Sequence, residues 1–199
     1  MADTGRAGRV RVERRLVTAR HGALLLDRKD RILTDELERL RLQVGRTSEE
    51  WERLAKEAAT WLSRASSLDG AERVAAAATA EQAEVKVVWE NAVGVRYPED
   101  ASCSPPVAEP AGGSSALALA ARAHRAAVSA GVKHAAAQRA IRLVSAELTA
   151  TRIRRRAVEN RWIPRLEGEL VTIRRRLDEQ ELEESLRLRW ATQTKGHRS

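Results

Sequence analysis

Apolar residues recur at alternating three- and four-residue steps along the first third of the chain. They run Leu16, Ala19, Ala23, Leu26, Asp30, Leu33, Leu37, Leu40, and on through Val44, Thr47, Trp51, Leu54, Ala58, Trp61, Ala65 and Leu68. This is the a/d seam of a left-handed coiled coil, held without a slip over about seven heptads. Only Asp30 and Thr47 are polar in it, and no proline interrupts Arg9 to Gly70. The pattern predicts one helix ~85 Å long. Such a helix cannot bury its stripe alone and needs a partner.

A matching stripe lies at the other end of the sequence. Ile141, Val144, Leu148, Thr151, Arg155, Val158 and Trp162 alternate in the same way, followed by Leu166, Leu170, Ile173 and Leu177. Two successive four-residue steps around Pro164 form a stutter, which unwinds a supercoil locally. Pro164 also removes a backbone donor, so a helix bend is expected there. This second helix is predicted from near Ser115 to about Trp190. Its start, Ala116 to Ala140, is rich enough in alanine for close helix approach.

Between the two lies a different kind of segment. Ala75 to Ala80 reads as helix. Glu84 to Trp89 and Val93 to Tyr97 are β-prone and flank Glu90–Asn91–Ala92, which predicts a short β-hairpin at about 84–97. Tyr97–Pro98 is expected to end it, and Ser102 to Ser115, rich in Pro, Gly and Ser, reads as a loop. The fold class is all-α: a long antiparallel two-helix coiled-coil hairpin with a small β-hairpin at its closed end, opposite both termini. The expected division is 1–70, 71–114 and 115–199.

Composition agrees with long helices. The chain has 199 residues, no Phe, and is dominated by Ala, Leu, Arg and Glu. Lys and Arg number 36 against 28 Asp and Glu, a net charge of +8. Nearly all the basic groups are Arg, a surface suited to nucleic acid, an acidic membrane or an acidic protein socket. Cys103 is the only cysteine, so no internal disulfide is expected and a reducing compartment fits. Met1 to Val12 is polar and basic, unlike a signal peptide, and no apolar run approaches the ~20 residues that span a bilayer.

No catalytic constellation is apparent. Neither the phosphate-loop motif nor G-x-G-x-x-G occurs, and Gly112–Gly113 reads as a linker. His21, His124, His134 and His197 show no metal-ligand spacing and read as surface residues. Glu179, Glu181, Glu183 and Glu184 read as a solvated face beside arginines. No catalytic, cofactor or metal residue is assigned.

Two charged features carry expectations. Arg9, Arg11, Arg14 and Arg15 near the start, with Arg6, and Arg174, Arg175 and Arg176 near the end fall at the same end of an antiparallel hairpin. Solubility, an acidic protein socket and phosphate binding all remain open, although few aromatics are present there for base stacking. Asp30 sits in the seam opposite Arg154, Arg155 and Arg156. It either pairs with one of them and fixes register or reaches solvent at the seam edge.

The chain resembles the D subunit of V-type and archaeal-type (V/A) rotary ATPases. Gly22 to Leu33 (GALLLDRKDRIL) is similar to the family's "G..LLK.KRD.L", and Val85 to Pro98 (VKVVWENAVGVRYP) resembles its hairpin. Thr151 to Leu166 (TRIRRRAVENRWIPRL) resembles "T.RRVNALE…IPRL", and Leu177 to Glu181 resembles "LDE.E". Ile153 replaces the first Arg of the family's pair, Arg155 and Arg156 stand where Val and Asn are usual, and Asp27 replaces a basic residue. The likeness implies a non-catalytic central rotor shaft that couples ATP hydrolysis or synthesis to proton or sodium transport. Its implied partners are the catalytic A and B subunits of a hexamer, the small F subunit of the stalk, and a funnel-shaped subunit leading to the membrane ring. It implies no cofactor, no small-molecule substrate and no nucleic acid, and a place on the cytoplasmic face of the membrane. The implied hexamer contacts are the seven arginines from Arg9 to Arg15 and Arg174 to Arg176. Val85, Val87, Trp89, Gly94 and Pro98 mark the hairpin. A basic coiled-coil scaffold or nucleic-acid-associated protein is the alternative.

Overall fold

The computed structural model describes residues 5–77, 82–106 and 112–196, with side chains through Trp190. Helix α1 spans Arg6–Asp69 and a short α2 spans Ala71–Ala76. Strands β1 (Glu84–Ala92) and β2 (Val95–Ser104) follow as an antiparallel pair. Helix α3 (Ser115–Ala157) passes through a π-helical turn, Val158–Trp162, into α4 (Ile163–Gly196). The fold class is therefore as read: a long helix at each end of the chain and a small two-stranded sheet between them. Contacts gather into two compact units, Met1–Asp30 with Ala150–Ser199, and Arg31–Thr149.

In the unit Arg31–Thr149, α1 and α3 pair through three stretches of buried seam. Leu33, Leu37 and Leu40 meet Ala140, Val144 and Leu148. Ala58 meets Ala123 and Ala127, and Ala65 meets Ala116, Leu117 and Ala120, with Trp61 packed against both groups. The alanine-rich start of α3 thus faces α1's tryptophans, small against large, as dense packing requires. Gly131 continues the pattern, since a Cβ there would lie 3.0 Å from Trp51 Nε1.

The helix reversal is tied by side chains. Asp69, the last residue of α1, accepts from the Ser114 backbone N–H at 2.9 Å and from the Ser114 hydroxyl. Ser114 in turn caps α3, its Oγ accepting from Leu117 N–H at 3.3 Å. Gly70, between α1 and α2, takes φ 80° and ψ 157°, a region essentially open only to glycine.

Several seam positions depart from the heptad expectation. Leu68 is 70% exposed and Trp162 is 58% exposed. At Trp162 the cause is the π turn, which holds more residues per turn than an α-helix and rotates Trp162 outward while Ile163 packs inward. That turn immediately precedes Pro164, whose ring conflicts with the carbonyl four residues back in a regular α-helix.

The hairpin also differs from expectation. Its turn is Val93–Gly94 rather than Glu90–Asn91–Ala92, with φ 50° and 86° at the two central residues. These positive values are those of the two-residue turns that match strand twist, and Asn91 Oδ1 supports the turn by accepting from Gly94 N–H at 2.8 Å. Nor does Tyr97–Pro98 end the hairpin: β2 continues to Ser104, inside the segment expected to be loop. Pro98 is tolerated because its absent N–H falls at a pair that does not exchange ladder bonds, beside a bulge at Val88/Trp89.

The described sheet does not sit at the helix reversal, where it was expected. It is laid back along the helix pair, with Tyr97, Ala92 and Val95 on the Leu33–Leu40 and Ala140–Leu148 cluster. Tyr97 is the anchor, at 1% exposure. Val87, Trp89 and Pro98 look toward Val132 and Ala136 of α3. β2 is thus the inner strand, and every residue of β1 before Ala92 is exposed.

Candidate functional site

Three arrangements of side chains stand out, and each lies within one compact unit. The first joins the two arginine clusters. Arg9 and Arg174 both donate to Glu13 Oε1 at 3.1 Å, and Arg6 bonds Glu181 at 3.2 Å. Hydrogen bonds from Arg174 and then Arg9 hold the Glu13 carboxyl below its ordinary value. The acidic run after Arg176 is therefore partly engaged with the basic start of α1. Among the described residues, Arg14, Arg15, Arg175 and Arg176 have no ion-pair partner. Arg11, Arg14 and Arg15 border a groove of about 560 Å³ whose apolar lining includes Val10, Leu26 and Trp162.

The second arrangement is the charged seam layer. Asp30 accepts from Arg152 Nε at 2.7 Å and from Arg155 Nη1 at 3.2 Å, and the same Arg155 atom bonds Asp27 at 2.8 Å. Asp30's side chain is only 13% exposed. Arg154, grouped with Arg155 by its place in the sequence, is exposed on α3, and Arg152 was not singled out at all. A coiled-coil pattern locates a charged seam position, but long arginines one turn away reach it equally well.

The third holds the hairpin. Tyr97 Oη donates to Glu36 Oε1 at 2.8 Å, and Arg39 grips the same carboxylate with Nη2 at 2.7 Å and Nε at 3.1 Å. Gln43 Nε2 donates to the Glu99 carbonyl at 3.0 Å, and Arg39 lies 3.9 Å from Glu90. Burial pushes the Glu36 carboxyl up, but the hydrogen bonds from Arg39 and Tyr97 outweigh it and leave the group below its ordinary value. Burial, then the bond to Glu36, raises the Tyr97 phenol. Glu99 is held up by its hydrogen bond to Glu90 and by Glu90's charge. Tyr97 is the sole tyrosine of a chain without phenylalanine. That scarcity, and Glu36–Arg39 at three-residue spacing, were the signals available for finding this latch.

A buried polar layer also overturns one expectation. His134, expected at the surface, is 7% exposed. Its Nδ1 lies 3.2 Å from Thr47 Oγ1, its Nε2 2.8 Å from Gln138 Nε2, and its ring stacks on Trp51 at 5.4 Å. Thr47, the polar seam residue, is its partner across the helix pair. The Thr47 hydroxyl also bonds the Gln43 and Val44 carbonyls, which leaves it to accept from an Nδ1–H. His197 lies outside the described residues.

None of these arrangements combines a nucleophile with a base. Among the described residues no group of three or more His, Cys, Asp or Glu is placed to hold a metal ion. No helix among them is long and apolar enough to cross a membrane.

Compared with known protein families, residues 9–193 match the D subunit of ATP synthase. The chain belongs to the ATP synthase D-subunit family. This is the family of the V/A-type ATPase D subunit, a stalk component of the rotary ATPases and ATP synthases. No curated protein matches the chain. The match to this D-subunit family runs through α1, the two strands, α3 and most of α4.

Proposed function

We propose that this chain is the central shaft of a V/A-type rotary ATPase, coupling nucleotide turnover in a catalytic hexamer to proton or sodium movement through a membrane ring. The observation that supports it is the family match over residues 9–193 on a pair of long helices with no catalytic site of their own among the described residues. The arginines Arg9, Arg11, Arg14, Arg15 and Arg174 to Arg176 contact the A and B subunits, and the Arg14–Arg15 side of the groove is the most available part. The small F subunit and a funnel-shaped subunit complete the rotor, at the cytoplasmic face of the membrane. Asp30, held by Arg152 and Arg155, with the exposed Arg154 beside them in sequence, fixes helix register, and Pro164 with its π turn bends the shaft. ATP is bound by the hexamer.

The test is rotation. A single thiol at Lys56→Cys in a Cys103→Ser background carries a gold bead, while the hexamer is immobilised. Unidirectional rotation that starts on adding ATP is expected. A bead that stays fixed in an ATP-hydrolysing complex makes the chain a static stalk. A chain that never copurifies with catalytic subunits loses the stalk role altogether.

A further inference from the structure

The outer edge of β1 has no strand paired to it among the described residues. Ala92↔Val95 closes a two-residue turn, so the even-numbered residues of β1 direct their N–H and C=O groups at β2. Val85, Val87 and Trp89 direct theirs outward. The sheet has only two strands, and no described strand covers this edge. Folded proteins usually blunt such an edge with proline, a bulge or inward charge. Here Pro98 and the extra residue of the bulge are both on β2, and the three charges of β1, Glu84, Lys86 and Glu90, alternate onto the sheet face away from Val85, Val87 and Trp89.

The side chains of the same three residues face a crevice. Val85, Val87 and Trp89 lie across from Val132, Ala135 and Ala136 of α3, around a space of about 310 Å³. They remain 48%, 39% and 48% exposed, so the helix does not cover them. Arg96 lies over the Trp89 ring at 5.0 Å and steadies it from the neighbouring strand. The hairpin is held by β2 through Tyr97 and the Glu99 carbonyl, which leaves β1 free to accept a further strand without undocking.

We infer that β1 is a strand-acceptor site: its free edge adds one extended segment of a partner protein, whose alternate aliphatic side chains enter the crevice against α3. Only an extended backbone supplies donors and acceptors at the spacing the edge presents. Pairing places every second side chain of the added strand on the Val87 face, above the apolar floor of Ala135 and Ala136. A helix would leave the outward N–H and C=O groups unpaired. The proposal is independent of the shaft role, since it names the chemistry of the partner and not its place in a motor.

The experiment places the photo-cross-linker p-benzoylphenylalanine at Lys86, on the sheet face away from the crevice, in the tagged full-length chain within its own cells. Mass spectrometry then reads the captured peptide, and amide exchange compares the isolated chain with the captured complex. A captured segment with aliphatic residues at alternate positions is expected, with at least tenfold slower exchange at Val85, Val87 and Trp89 in the complex. Val87→Lys, which charges the crevice but keeps the Tyr97 latch, is expected to cut capture at least tenfold with its circular dichroism unchanged. No cross-link, a cross-link into a helix, a cross-link only to a second copy of β1, or full capture by Val87→Lys overturns the proposal. Capture of a strand from a protein outside any ATPase upholds it and removes the shaft reading instead.

Discussion

Tyr97 is the clearest place to test how the hairpin is held. Truncation to Ala removes a ring that is 1% exposed and packed on Leu37, Leu40 and Val144. Aromatic-to-alanine changes in packed sites cost about 3–5 kcal/mol, and this site at the edge of a two-stranded sheet belongs near the lower bound. Tyr97→Phe keeps the ring and removes the 2.8 Å bond to Glu36 together with the long 3.4 Å bond that Tyr97 accepts from Arg39. A hydrogen bond to a charged group contributes about 1.5–3 kcal/mol, but Glu36 keeps its three Arg39 bonds and some solvent contact, so about 1.5 kcal/mol is expected. A detached two-stranded hairpin does not hold its ladder in water, so native-state exchange of the Glu90 and Ala92 amides reports undocking. Since ~1.4 kcal/mol is a factor of ten, Tyr97→Phe should speed their exchange about tenfold and Tyr97→Ala more than a hundredfold. The pH dependence adds a sign. Glu36 is lowered below its ordinary 4.5, so its contribution is fully present above pH ~4.5 and is lost as pH falls through the lower folded value. Glu99 is raised by Glu90, so their mutual bond steadies the β1–β2 pairing at low pH and that contribution is lost as pH rises through its folded value. Tyr97→Phe should move the acid undocking midpoint upward. Exchange in Tyr97→Ala within threefold of the parent would refute the claim that this residue anchors the sheet.

The remaining predictions concern backbone fit and the charged layer. Val93 holds φ 50°, which a β-branched residue resists, so Val93→Asn should raise hairpin stability by about 1 kcal/mol in denaturant titrations; a loss would mean the turn has another conformation. Gly45→Ala and Gly168→Ala meet nothing within 4 Å and should each gain up to ~1 kcal/mol of helix stability, read as a higher melting temperature. Gly131→Ala meets Trp51 at 3.0 Å and should instead lose stability and red-shift tryptophan emission as the indole leaves His134. Asp30→Ala strips partners from Arg152 and Arg155 and should cost about 1–2 kcal/mol, less at high salt. Asp30→Leu that raises the melting temperature with helix pairing unchanged in cross-linking would remove the proposed register role.

The sequence by itself determined what is local or periodic. The three-four stripe in each helix, with no proline before Gly70, required two long helices that cover each other, because a stripe that long has no other burial. The composition excluded an aromatic core, and the resemblance already pointed to the stalk family. The tertiary structure decided the rest. Whether Trp162 faced in or out depended on a π turn that adds residues without advancing the heptad, which no spacing rule reports. Burial of His134 depended on Thr47, far away in sequence, sitting across the pair. The place of the hairpin was settled by one tyrosine meeting Glu36 and Arg39, a contact between segments about sixty residues apart. Which strand faces inward, and therefore which edge is left open, follows from that docking alone, because alternation along a strand names two faces and says nothing of which edge is covered.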